Sequence, residues 1–163
     1  MSKKVAYGGI LLAVNIIILL LLNIIPINTL FLMGLASLPI SIVIMELGLK
    51  SGVAFYMGST ILSFMVMTNK AQWVLYILTF GLYGIVKYII EQNKSIYMEY
   101  LLKMVFANII IVIVYFILKQ FVYIPVNLIT IAIFEVAFIV YDYVYTSFIH
   151  YYNQNLKKRI KKI

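Results

Sequence analysis

The sequence predicts an all-α membrane protein, a six-transmembrane-helix bundle with both termini in the cytoplasm, and three observations predict it. The first is composition. Of 163 residues, 65% are hydrophobic and 11% charged, whereas ordinary soluble domains run near ~45–50% apolar and ~25% charged. The second is length. The apolar runs Val5–Ile25, Thr29–Leu47, Ser51–Thr68, Ala71–Ile90, Tyr100–Leu118 and Val126–His150 each approach the ~20 residues a helix needs to cross a hydrocarbon core. The third is charge. With the N-terminus inside, Lys3, Lys4, Lys50, Lys87, Lys94, Lys103, Lys157, Lys158, Arg159, Lys161 and Lys162 fall at or near the cytoplasmic face. Only Lys70 and Lys119 fall outside, as the positive-inside tendency expects.

The first run follows Met1-Ser-Lys-Lys like a signal peptide, but it is too long for an h-region. No small-x-small site closes it at Asn23–Asn28, so it is expected to stay as the first helix. Pro26 ends it, since proline has no amide donor and disfavours helix in the residue before it. The second run carries Gly34, Ser37, Pro39 and Ser41 and predicts a kinked or broken helix, tolerable at membrane depth only against protein or a water-lined cavity. Asn69-Lys70 and the stretch 119–125 form external loops; Glu91-Gln-Asn-Lys94 forms an internal one. Trp73 and tyrosines including Tyr76, Tyr88, Tyr97, Tyr100 and Tyr115 fall near the expected interfaces, where amphipathic rings suit the headgroup level. The expectation is one integral membrane domain over residues 1–163.

The net charge of +8 does not point to nucleic acid, because five of the cations sit in the last seven residues, an orientation anchor or a tail that binds anionic lipid or a partner. No cysteine is present, which removes disulfides, thiol nucleophiles and thiolate metal sites. His150 is the only histidine, and there is no nucleotide-binding or Ser-His-Asp pattern. The chain is therefore not expected to be an enzyme, and no cofactor, catalytic or metal residue is assigned.

Polar residues inside apolar runs carry what remains. Glu135 and Asp142 lie within ~20° on one face of the last helix, with Glu135 ~15 Å deep; buried acids face a bundle interior, a cavity or a partner. Asn15 and Asn108 reach a similar depth and predict a polar layer, either lining a pocket or making interhelical hydrogen bonds worth ~1 kcal/mol each. Ala6, Gly9 and Ala13 form a separate small-residue face well over ~100° from Asn15, suited to close helix approach.

The segment Glu46-Leu-Gly-Leu-Lys-Ser-Gly52, with Gly58 beyond it, resembles the helix 2–3 connection of substrate-binding S-components of energy-coupling factor (ECF) transporters. That family has a Gly-Pro-Lys-Ala-Gly-like turn; Leu49 stands here where proline is common, and Ser51 replaces alanine. The resemblance implies a membrane-embedded receptor for uptake of a vitamin or similar micronutrient in the bacterial plasma membrane. It also implies that Ala6, Gly9 and Ala13 dock on a coupling transmembrane subunit served by two cytoplasmic ATPases. Its pocket candidates, chosen by depth and polarity, are Asn23, Asn28, Trp73, Lys119, Gln120, Tyr123, Asn127 and Glu135. The partners expected are thus a small-molecule substrate, the coupling module and the lipid bilayer, with no nucleic acid. The alternative is a non-transporting six-span scaffold of the MreD type in cell-shape machinery.

Overall fold

In the computed structural model, which describes residues 2–25, 27–120 and 127–157, each apolar run forms helix. The order is α1 (Ser2–Ile24), α2 (Thr29–Leu47), α3 (Leu49–Val66), α4 (Lys70–Leu75), a π segment (Tyr76–Gly81), α5 (Leu82–Ile90), α6 (Ile96–Leu118) and α7 (Leu128–Tyr151). A π turn (Tyr152–Leu156) follows α7. The chain divides into two compact units, Met1–Ile124 with α1 to α6 and Pro125–Ile163 with α7.

The breaks between helices have local causes. Asn28 adopts a left-handed conformation, φ 66°, which asparagine tolerates better than most residues, and α2 begins at the next residue. Gly48, at φ 89°, sits in the region open mainly to glycine and turns α2 into α3 without a longer loop. The Asn69 side chain accepts from the backbone N–H groups of Ala71 and Gln72, an N-cap that satisfies two otherwise orphaned donors of α4.

Helix α2 is the inner helix of the first unit, packed by α1, α3, α5 and the π segment. Of the expected kink or break, the break does not occur: α2 runs uninterrupted from Thr29 to Leu47 with Pro39 inside. Packing on several sides holds it across the proline. The Ser37 and Ser41 hydroxyls donate to the carbonyls of Gly34 and Leu38, so serines of this buried helix stay satisfied by bonding back to their own helix. Around α2, one apolar cluster gathers Leu19, Leu22, Met33, Ala36, Met67 and Tyr76. Another gathers Ile40, Val43, Ile44, Phe55 and Ile85. A third joins Ile110, Val114 and Leu118 of α6 to Leu78 and Leu82.

The interior also holds polar and charged side chains: Asn15, Ser37, Ser41, Ser59, Ser63, Lys87 and Lys103 are buried. This corrects the fold class. Among the described residues six helices are long and apolar enough to cross a membrane by length and composition, but the six-transmembrane-helix, both-termini-in bundle placed Lys87 and Lys103 at or near its cytoplasmic face. Both instead lie inside the fold, paired with Glu91. Lys158, Arg159, Lys161 and Lys162 lie outside the described residues. Two of the eleven cations that oriented the chain are thus interior ion-pair partners, and that finding overturns the orientation. The multi-pass bacterial plasma-membrane placement, both termini cytoplasmic, is withdrawn with it. What stands is an all-α fold with a buried, salt-bridged polar core.

Candidate functional site

Two polar centres organise the first unit. The first is an amide–hydroxyl cluster. Asn15 on α1 is fully buried; its Nδ2 donates to the Ala36 carbonyl of α2 and, at 2.7 Å, to the Tyr76 hydroxyl. The Ser59 hydroxyl of α3 donates to Asn15 Oδ1 at 2.7 Å and lies 3.3 Å from the Tyr76 oxygen. One asparagine thus ties together α1, α2, α3 and the π segment. An amide offers two donors and an acceptor with two lone pairs, and three protein groups use them here. Among the described residues no buried side-chain nitrogen or oxygen lacks a partner.

The second centre is an ion-paired corner where α5 turns into α6. Glu91 Oε1 accepts from Lys87 Nζ and from Lys103 Nζ, each at 2.6 Å. Lys87 stands four residues before Glu91, on the same helical face, and Lys103 arrives from the first turns of α6. The Lys87 ammonium also lies over the Tyr83 ring, 5.9 Å from its centroid. Desolvating an ammonium is expensive unless a carboxylate and hydrogen bonds replace water, and Glu91 provides that replacement for both lysines.

The expected polar layer is corrected in part. Asn15 is buried, but Asn108 is exposed and its amide donates to the Met104 carbonyl one turn earlier in α6. Depth along the chain was matched; direction was not. Ser59 and Tyr76 complete the layer instead. Sequence reasoning missed both, because a serine in a helix ordinarily bonds its own backbone and Tyr76 fell among the interfacial tyrosines.

The proposed pocket residues are placed on separate structural duties. The Asn23 side chain donates to the Val66 carbonyl and accepts from the Thr68 amide and hydroxyl, fastening the end of α1 to the end of α3. Trp73 Nε1 donates to the Thr60 carbonyl at 3.2 Å, and its ring packs edge-on against Phe64. Those two residues therefore meet the same helix, α3. Asn28 forms the left-handed turn before α2. Lys119 lies over the Phe116 and Tyr115 rings of its own helix, and Gln120 is exposed in the turn after it. Tyr123 lies outside the described residues.

In the second unit, Asn127 is the N-cap of α7: its side chain accepts from Thr130 N–H, and the Thr130 hydroxyl accepts from Asn127 N–H. This reciprocal box satisfies helix-terminal donors, which is a structural use. Glu135 is half-buried on the same helix, and Asp142 is buried.

Ala6, Gly9 and Ala13 are all exposed, with Asn15 buried on the other side of α1. A Cβ added at Gly9 would meet nothing within 4 Å. The small and polar faces of α1 diverge as the helical phase predicts.

Chemically, the two centres cross-link helices. Neither offers a nucleophile–base pair, and among the described residues no group of three His, Cys, Asp or Glu side chains is placed to hold a metal. No protein-family model, curated protein or solved structure matches the chain. The resemblance to ECF S-components is accordingly overturned, and with it the reading as a vitamin-uptake receptor and the membrane-scaffold alternative. The partners that followed only from that resemblance, a coupling subunit and its ATPases, are not carried forward. The finding that displaces them is a salt-bridged polar interior whose described groups are engaged in holding helices together.

Proposed function

We propose that the chain is a non-catalytic helical protein that acts by contact, and that the partner covering its outer surface is lipid. One observation carries this reading: the large apolar side chains left uncovered are spread over most of the long helices rather than gathered in one patch. Ile17 on α1, Phe31 on α2, Met65 on α3, Phe116 on α6 and Val136 on α7 are each more than half exposed. Exposed apolar surface on this scale marks a contact with protein or lipid. A docked protein covers one face, whereas acyl chains cover every face, so the distribution favours lipid. The non-catalytic part of the reading rests on the use of the buried polar groups as helix cross-links.

The test is flotation of the full chain with phosphatidylcholine–phosphatidylglycerol vesicles. The expected result is co-flotation that persists in high salt, because apolar contact is not screened as charge attraction is. A chain that stays in the lipid-free fraction as a monodisperse particle without detergent overturns the proposal. So does apolar surface covered by a stoichiometric protein partner.

A further inference from the structure

The helical stretch from Lys70 to Ile90 changes register in its middle. In an unbroken α-helix Tyr76 and Tyr83, seven residues apart, would point within ~20° of each other. They serve different neighbours instead. Tyr76 reaches Asn15 on α1 and Ser59 on α3, whereas the Tyr83 ring packs on Phe106 of α6, with centroids 6.0 Å apart. The π segment Tyr76–Gly81 lies between them. A π turn closes i→i+5 bonds and takes in one residue more than an α turn, so it delays the helical phase by about one step, ~100°.

Tyr56 of α3 holds this segment at two points. Its hydroxyl donates to the Ile77 carbonyl at 3.1 Å. Its ring lies against Gly81, where an added Cβ would come within 3.3 Å of Tyr56 Cε2. Glycine at 81 leaves the ring its seat, and the hydroxyl supplies a donor to a carbonyl of the altered ladder. The segment's own Thr79 hydroxyl bonds back to the Leu75 carbonyl, within the π region's first turn.

We propose that Tyr76–Gly81 is a two-register element and that Tyr56 is its latch. With Tyr56 seated, the segment runs as π and the Asn15 cluster and the Tyr83–Phe106 contact form together. With the latch released, it reverts toward α, and α5 turns by about one residue step relative to Tyr76. The two contacts then compete. This ties the amide–hydroxyl cluster to the α5–α6 corner, where Lys87 and Glu91 sit on the rotating helix.

The test uses Tyr56→Phe in the full chain, a variant that keeps the ring and removes only the hydroxyl. Amide hydrogen exchange over residues 77–82 is expected to accelerate roughly three- to tenfold, the effect of one hydrogen bond, with residues 105–114 of α6 unchanged. Nuclear Overhauser contacts between the Tyr83 and Phe106 rings are expected to weaken in the same variant, a change that simple loss of one bond without rotation would not produce. Unchanged exchange overturns the proposal. Accelerated exchange with the ring contacts intact, or uniform acceleration through α6, also overturns it.

Discussion

Asn15 Nδ2 donates to the Tyr76 hydroxyl at 2.7 Å, joining residues 61 positions apart in a region where neither group reaches water. A bond this distant in sequence forms only once α1, α2, α3 and the π segment have assembled. Loss of the Asn15 side chain takes a partner from groups on α2, α3 and the π segment at once.

Asn15→Ala therefore removes the partner of Ser59, Tyr76 and the Ala36 carbonyl together. Leaving buried donors or acceptors unpaired costs about 1–3 kcal/mol each where water cannot enter. The expected loss for Asn15→Ala is at least ~2 kcal/mol, against within about 0.5 kcal/mol for Asn108→Ala on the exposed face of α6. Denaturant unfolding of both variants under identical conditions checks the contrast, and equal losses would show that the cluster is not the organising contact.

Glu91 is the shared acceptor of two buried ammonium groups. Glu91→Gln keeps the shape and removes the charge. A hydrogen bond to a charged group contributes about 1.5–3 kcal/mol; the partial exposure of Glu91 lets water replace some of it, so the expected loss is about 1–2 kcal/mol. Lys94→Gln, at an exposed lysine of the same turn, should change stability by less than about 0.5 kcal/mol. Thermal unfolding of the pair decides it: comparable shifts would demote the corner to a surface ion pair.

How much of this was legible in the sequence depends on which physical signal each residue carries. Helix positions were legible because apolar runs are long and their ends bear Pro26, Gly48 and Asn69. Asn15 stood out as an amide in an apolar run, and the divergence of Ala6, Gly9 and Ala13 from it followed from the helical step. Ser59 and Tyr76 were not legible, since each has a commoner explanation that needs no partner. Lys87 and Lys103 were misplaced because counting charges by loop takes no account of a carboxylate that draws lysines inward. The change of register between Tyr76 and Tyr83 was not legible either, because a π turn leaves no mark in composition.

The glycines of α1 and α3 make a paired prediction. At Gly52 an added Cβ would collide with the Ile44 side chain of the inner helix, while at Gly9 it would meet open space. Gly52→Ala should destabilise by about 1–3 kcal/mol as an overpacking change. The double variant Gly52→Ala/Ile44→Ala should lose less stability than the sum of the two single losses, because the second change removes the clash. Gly9→Ala should be neutral or stabilising by up to about 1 kcal/mol, the helix-propensity difference. A destabilising Gly9→Ala would mean that another backbone packs on that face.

Asn127 and Thr130 close both ends of a capping box at the start of α7, so the side chain expected at a pocket has a structural use at the helix start. Asn127→Ala removes the acceptor for Thr130 N–H and should cost about 1 kcal/mol, while Asn127→Ser or Asp keeps an acceptor and should cost only a few tenths. The effect should be local, because an N-cap governs the first turn. Amide exchange at residues 128–132 should rise about fivefold in Asn127→Ala, with residues 140–148 unaffected. If the alanine variant instead left the first turn protected while altering residues throughout α7, Asn127 would be acting through a contact other than the cap, and its assignment as a purely structural residue would have to be revised.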